Sequence, residues 1–378
     1  MESGRFEVKD INGLFIRAIS CALHGKRIES ELIDDAASKE LFRISKYHDV
    51  SALLSLAFAK PDDRWTSARF EAIRRTILFD EERSKILRFF EENQIWYCPL
   101  KGIILKDYYP EFGIREMGDN DILVDDTKAD VIRRFMLDNG YSDHPLKSSN
   151  HDEYQKKPIY NFEIHKTLFI AGNEFYDYYK DIKKKLIKDS DNEFGFHFSK
   201  EDFYIHLIAH IHRHLSENGS GIRNLIDLYL YLSKEQGLDH DYIEHELNLL
   251  GLSDEEKLMR TLAFKLFSQT DAELILNETE SALLDIMLYS GVYGNDKYRA
   301  LIGIGKLKED DGKNYKIRYL YKRIFMPEDI LKGHFPFFYK HVWARPFLAV
   351  FRVTRALLFK TKHVVKELKT VWKIKKEI

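Results

Sequence analysis

Cysteine is scarce in this chain. Two residues, Cys21 and Cys98, in 378 cannot build a disulfide framework or a zinc module, so no disulfide partner is expected. Long apolar runs are missing as well. No stretch of about 18 uncharged apolar residues occurs, which argues against a transmembrane helix. The first residues, MESGRFEVKDINGLF, lack a basic start leading into an apolar segment, so no secretory leader is expected. There is no Walker-type phosphate loop. Gly219-Ser220-Gly221 lacks the preceding strand and the third glycine of a dinucleotide fingerprint. Internal repeats and low-complexity linkers are also lacking. These absences leave a cytoplasmic protein as the expectation, with peripheral residence at the inner membrane face as an extension of it.

What is present is enough for a sizeable core. Hydrophobic residues make up 44% and aromatics 13%, which excludes disorder as the general state. The length predicts two or three packed units. The net charge of −2 conceals an asymmetry. From Lys313 to Ile378, 17 lysines and arginines stand against Glu328, Asp329, Glu367 and Glu377, a net of +13, so the other 312 residues carry −15. An acidic body joined to a basic tail points to an anionic partner surface.

Periodicity divides the chain further. Residues 1–94 read as helical, most clearly where Ile73, Ile77, Leu78, Ile86, Leu87 and Phe90 recur at helical spacing. Ile95–Leu100 (IWYCPL) reads as a strand. Ile103–Tyr109 follows as a short helix stopped by Pro110. Ile122–Val124 forms a second strand, entered through Gly118-Asp119-Asn120-Asp121. A helix capped by Thr127 and Asp130 runs to Asn139-Gly140, and Tyr160–Leu168 reads as a third strand. Residues 95–198 are therefore assigned to an α/β core, 199–312 to a helical domain opening with a capping box at Ser199 and Asp202, and 313–378 to a basic helical tail.

The chemistry concentrates in that core. Strand residues i and i+2 share a face, so Asp119 and Asp121 should stand side by side, roughly 6–7 Å apart. Two carboxylates so close repel each other unless a cation lies between them. Glu163 sits in the apolar strand context Phe162-Glu163-Ile164, where an unpaired carboxylate is costly. If the third strand lies beside the second, Glu163 joins the pair and three acids can hold Mg²⁺ or Mn²⁺. Such ions serve phosphoryl and nucleotidyl transfer, which depend on positioning and charge neutralisation. An Asp-x-Asp pair taken alone more often marks a loop or a solvated strand end; the strand context and the third acid shift that balance.

These residues also carry a resemblance. Leu100-Lys101-Gly102, Tyr109-Pro110, Arg115, Gly118-Asp119-Asn120-Asp121-Ile122-Leu123-Val124 and Phe162-Glu163-Ile164-His165 occur in that order. The set resembles the bacterial uncharacterised nucleotidyltransferase family of the DNA polymerase beta-like superfamily, over roughly residues 85–235. The resemblance implies an α+β fold: a small mixed-sheet nucleotidyltransferase core, flanked by N-terminal helices and a C-terminal helical domain. It implies a metal-dependent transfer of a nucleoside monophosphate from an NTP, ATP foremost, to an acceptor of one of three kinds: a small molecule, a sugar or envelope precursor, or a protein. The metal would sit on Asp119, Asp121 and Glu163. The nucleotide would meet Lys101 and Gly102 at a helix start. Two departures stand out: Lys101-Gly102 replaces the Gly-Ser common in the superfamily, and Asn120 stands where an apolar residue is usual. The first motivates an alternative, a nucleotide-binding module without turnover.

Other residues have paired readings. Arg115 suits either a bidentate grip on triphosphate or an ion pair with Glu116 or another nearby acid. His165 shares the face of Glu163 and is a candidate for substrate contact or for a buried structural role. His206, His210 and His214 recur at i, i+4 and i+8; a helix surface toward the active site is favoured over zinc, with His210 the candidate for substrate contact. Arg223 and Asp227 read as an i, i+4 helix salt bridge. In the tail, residues 343–373 place Arg352, Arg355, Lys362, Lys366, Lys369 and Lys373 on one broad helix face, with Phe347, Phe351, Leu358 and Val365 on another. That pattern suits an anionic membrane surface, packing on the acidic body, or, less readily, nucleic acid.

Overall fold

The computed structural model describes residues 11–28, 33–144, 150–269, 274–292, 294, 331 and 336–359. The chain forms two compact units: residues 1–212 with 220–292, and residues 213–219 with 293–378.

In the first unit, α1 (Ile11–Leu23), α2 (Asp35–Tyr47) and α3 (Ser51–Leu54) make an N-terminal helical layer. Asp34 caps α2 by accepting the Ala37 amide, which satisfies one of the orphan donors of the first turn. α4 (Asp63–Glu92) is the longest element at 30 residues. Of the apolar positions that the spacing picks out, Ile86 and Phe90 are buried, Ile73, Leu78 and Leu87 are half-buried and Ile77 is exposed, while Phe79, which the spacing does not single out, is fully buried.

A five-stranded mixed sheet lies against α4. Its strands are β1 (Tyr97–Pro99), β2 (Asn120–Val124), β3 (Ser142–His144), β4 (His151–Lys156) and β5 (Tyr160–His165). They are arranged β1-β2-β5-β4-β3. β2 and β5 are parallel and all other neighbours antiparallel. Three of the strands match the sequence reading. β3 and β4 were not anticipated, because HDEYQK reads as polar and β3 is only three residues long. α5 (Gly102–Leu105) continues into a 3₁₀ turn, Lys106–Tyr108, which ends before Pro110 as expected. α6 (Ala129–Asp138) follows β2 without the expected Thr127 cap: it has no side-chain cap of its own, and Asp125 instead caps the 3₁₀ turn Asp126–Lys128 before it, accepting the Thr127 amide at 3.1 Å.

One face of this sheet is the core. Ile122 and Val124 of β2, Tyr154 of β4, and Phe162 and Ile164 of β5 join Phe79, Ile86 and Phe90 of α4 and Ile132 and Met136 of α6. Because strand side chains alternate, the other face of β2 and β5 carries Asp121, Leu123, Glu163 and His165. After the short helix α7 (Tyr176–Tyr179) and a two-stranded ribbon of β6 (Ile187–Lys188) and β7 (Phe196–His197), the chain turns helical. α8 spans Lys200–Glu217, with Ser199 Oγ accepting the Asp202 amide at 3.0 Å, as the capping signal predicts. α9 (Arg223–Lys234), α10 (His240–Leu249), α11 (Ser253–Phe267) and α12 (Glu278–Ser290) complete this unit.

In the second unit the described elements are α13 (Pro336–Lys340), a 3₁₀ turn at Val342–Ala344 and α14 (Arg345–Phe359). The expected basic face beyond residue 359 lies outside the described residues, as do any helices between 295 and 310. No described helix is long and apolar enough to cross a membrane.

Candidate active site

The register of β2 and β5 builds the site. Asp121 lies directly beside Glu163, and Glu163 in turn lies opposite Glu153 of β4. Three carboxylate positions therefore run side by side across three strands on the face away from α4. The next row carries Leu123, His165 and His151. Asp119 precedes β2 by one residue and is carried to the same face by the i, i+2 alternation. One oxygen each from Asp119, Asp121 and Glu163 lie within 4.8 Å of one another. Like charges directly opposite each other weaken a sheet, so this row is tolerable only with compensating positive charge.

Two side chains provide part of it. Lys101 Nζ stands 3.0 Å from Asp121 Oδ2, and His165 Nε2 stands 2.8 Å from Asp121 Oδ1. Lys101 arrives there because the Leu100 amide donates to the Asp121 carbonyl at 2.9 Å, pinning the end of β1 to β2. Its backbone is strained, at φ +37°, a cost of order 1–3 kcal/mol that persists only where the surroundings enforce it. The two aspartates respond in opposite directions. Burial pushes Asp119 up to about 6, and the charges of Asp121 and Glu163 push the same way. Burial acts on Asp121 too, but Lys101 and His165 overcome it and hold this carboxyl well below the ordinary range.

Asn150, 7% exposed, sets both histidines. Its Nδ2 donates to the carbonyls of Thr167 and Leu168 at 3.1 Å each, which fixes the orientation of the amide. Oδ1 then faces His151 Nδ1 at 3.3 Å, so that nitrogen carries the proton and Nε2 turns its electron pair toward Glu163 Oε2, 3.5 Å away. Nδ2 also lies 3.3 Å from His165 Nδ1, and His165 donates from Nε2 to Asp121; burial opposes charge on this ring, but Asp121 and Glu163 raise it above its ordinary value. One amide thus touches both histidines. Burial keeps His151 below its ordinary value, favouring the neutral ring. His151, Glu163 and His165 form a second group whose ligand atoms lie within 4.8 Å of one another.

Arg115 pairs with Asp227, far along the chain, and not with Glu116. It is 7% exposed and gives Nε and Nη2 to the two oxygens of Asp227 at 2.9 and 2.8 Å, with Nη1 on Met117 Sδ. Tyr109 donates to the same Asp227 at 2.8 Å. Glu116 instead accepts the Ala52 amide at 2.9 Å. The expected Arg223–Asp227 helix pair is consequently not formed. Asp227 points into the protein at 1% exposure, where a fork with two parallel hydrogen bonds satisfies it better than a neighbour along its own helix. Arg223 turns to the Glu116 carbonyl at 3.0 Å and Asp49 at 3.4 Å, bracing the segment that leads into Asp119.

Gly102 owes its identity to that pair. A Cβ there would stand 2.8 Å from Arg115 Nη1 and 3.3 Å from Met117 Cε. Asn120, the other departure, belongs to the core side: it is fully buried and accepts from Arg83 of α4 at 2.9 Å, and Arg83 in turn meets Asp80. His206 is buried among Phe169, Tyr179 and Phe198, stacked on Phe198 at 5.4 Å. His210 lies beside it, with ring centroids 6.3 Å apart, and belongs to neither ligand group. The structure therefore brings together Asp119, Asp121, Glu163, Lys101 and His165. It adds His151, Asn150 and Glu153, for which the only sequence signal was the polar alternation of a strand that had not been recognised.

The set suits a hard divalent cation. All three donors of the first group are carboxylate oxygens, which match Mg²⁺ or Mn²⁺, and the three acids exceed the positive charge that Lys101 and His165 bring. Comparison with known proteins gives one match: a family described as uncharacterised nucleotidyltransferase, over residues 34–268. No curated protein and no solved structure matches the chain.

Proposed function

The chain belongs to the uncharacterised nucleotidyltransferase family, and on that premise we propose that it moves a nucleoside monophosphate group from an NTP, ATP first among them, to a hydroxyl or phosphate acceptor. The acceptor belongs to one of three classes: a small molecule, a sugar or envelope precursor, or a protein. The observation that carries this reading is the convergence of Asp119, Asp121 and Glu163 on one face of parallel strands.

Asp119, Asp121 and Glu163 are the residues to hold Mg²⁺ or Mn²⁺. Such an ion, when bound, neutralises triphosphate charge and makes a hydroxyl more acidic. The chain's own side chains divide the remaining work. His165 and Lys101 fix the Asp121 carboxylate, and Lys101 supplies a point charge for a phosphate oxygen beside it. Arg115 and Gly102 serve the nucleotide side by rigid support, through the Asp227 fork, and not by direct grip. His151, held by Asn150, presents Nε2 on the Glu163 side, where an acceptor group would lie. His210 is retained as a candidate for substrate contact on α8.

The direct test is pyrophosphate release from each of the four NTPs with Mg²⁺ or Mn²⁺. The intact protein should release it at least about 100-fold faster than Asp119→Ala, the scale expected when a metal ligand is removed. Equal release by both would sink the proposal.

A second reading has its own support. Lys101 Nζ already neutralises an oxygen of Asp121, so the ammonium can stand in for an ion and the fold can bind a nucleotide without turning it over. That reading expects nucleotide binding that is indifferent to chelator and no pyrophosphate from any NTP. Chelator-sensitive binding with release of pyrophosphate decides for the enzyme.

A further inference from the structure

The second unit carries an apolar stripe that its own packing leaves uncovered. Ala344, Leu348 and Ala349 are buried and form the inner side of α14 and the turn before it. On the outer side, Trp343, Phe347, Val350 and Phe351 are 62–70% exposed. They stand at i, i+4, i+7 and i+8, the spacing that gathers residues on one face of a helix. Val342 and Phe337 extend the patch. A surface helix ordinarily backs its apolar stripe with a polar face. Here the outward face is itself apolar and aromatic, and a contiguous patch of that kind marks an interaction site.

The charge around the stripe selects the partner. Between residues 330 and 366 the sequence has eight lysines and arginines and no acid. Arg345, at the start of α14, is turned inward onto the carbonyls of Phe338 and Tyr339 at 3.2 and 3.3 Å, clipping α13 to α14. Among the described residues the stripe itself holds no lysine or arginine. A surface for single-stranded nucleic acid interleaves exposed aromatics with basic side chains along the backbone track, and this face does not. Aromatic and aliphatic side chains on one helix face, within a strongly basic segment, are the features of a helix lying in a bilayer interface.

We propose that this face rests on an anionic lipid bilayer. Trp343, Phe347, Val350 and Phe351 enter the boundary between headgroups and acyl chains, and the +13 segment from Lys313 onward is held by the negative surface potential. Attachment is to the surface, since no described helix can span the membrane.

The test uses the full-length protein with vesicles of phosphatidylcholine, with and without phosphatidylglycerol. Co-sedimentation should be at least about tenfold stronger on the anionic vesicles and should weaken with salt. A W343S/F347S/F351S triple variant changes exposed positions only. It should lose at least about tenfold in vesicle partitioning while its thermal unfolding stays in place. Brominated lipid should quench tryptophan fluorescence in the intact protein, and most of that quenching should vanish in Trp343→Phe. Undiminished vesicle binding by the triple variant would overturn the proposal, as would quenching that ignores Trp343. Failure to bind anionic vesicles, coupled to a change in mass by light scattering or in RNA binding when the stripe is removed, would hand the surface to a second copy or to nucleic acid.

Discussion

Two groups of buried and half-buried acids in this protein are built on opposite principles. At Asp227 the accounts are closed. One carboxylate receives a two-pronged guanidinium and a tyrosine hydroxyl, all within 2.9 Å. On the open face of β2 and β5, three carboxylates share one ammonium and two imidazoles, of which His151 is held toward its neutral form. The first arrangement is complete without any outside group and acts as a structural rivet. The second is short of positive charge, and a fold that keeps it holds a place for a cation. The difference teaches that burial of an acid says little about function until its partners are counted.

That contrast can be broken most forcefully at Arg115. Arg115→Ala leaves the Asp227 charge buried with only the Tyr109 hydroxyl as partner, which should cost about 3–5 kcal/mol, read as a large fall in the denaturation midpoint. A neutral result would mean that the rivet is no rivet. Next in size comes Glu163→Gln, which removes one acid from the deficient group. Pyrophosphate release should drop at least about 100-fold, some 2.7 kcal/mol of barrier, with the folded state intact by circular dichroism. Loss of folding instead would place Glu163 with Asp227 among the structural acids.

The pH dependence of metal binding sharpens the same point. Asp119 sits near 6 in the metal-free protein, so below that pH an incoming ion must displace its proton. Mn²⁺ affinity, followed by paramagnetic relaxation, should fall roughly tenfold for each pH unit below 6 and level off above it. An unchanged affinity between pH 5 and pH 7, roughly one unit to either side of that value, would remove Asp119 from the ligand set. Tyr109→Phe deletes one of three hydrogen bonds to Asp227 and should cost about 1 kcal/mol. The smallest effect has the reverse sign. Asp119→Asn relieves like-charge crowding and should raise the stability of the metal-free protein by a few tenths of a kcal/mol, whereas every change at Asp227 should lower it.

The parts legible in the sequence were those whose logic is local. The i, i+2 alternation placed Asp119 and Asp121 on one face, and the apolar flanks of Glu163 identified its strand. Capping at Ser199 and the stop at Pro110 were also matters of near neighbours. What escaped required partners far along the chain. β4 reads as polar because His151 and Glu153 face the site, while Asp152 and Lys156 on its other face are taken up by ion pairs with Lys166 and Glu82. Arg115 and Asp227 are 112 residues apart, and the helix rule that offered Arg223 as the partner knows only spacing. Lys101 was seen as a phosphate contact, but the closing of β1 onto β2 that sets it on Asp121 depends on a backbone hydrogen bond between strands.

The parallel alignment of β2 and β5 has a consequence for how such a protein can change over time. Asp121 and Glu163 keep their separation because neighbouring strands are spaced by peptide hydrogen bonds, about 4.8 Å apart, whatever the chain does between them. Surface positions of residues 125–159, which leave one strand and return to start the other, can exchange side chains without moving either acid, provided that Ile132, Met136 and Tyr154 keep the core and β4 keeps its pairing with β5. Chemistry is thereby tied to the most conservative dimension of the scaffold, while the excursion that presents His151 is left open to retailoring for a new acceptor.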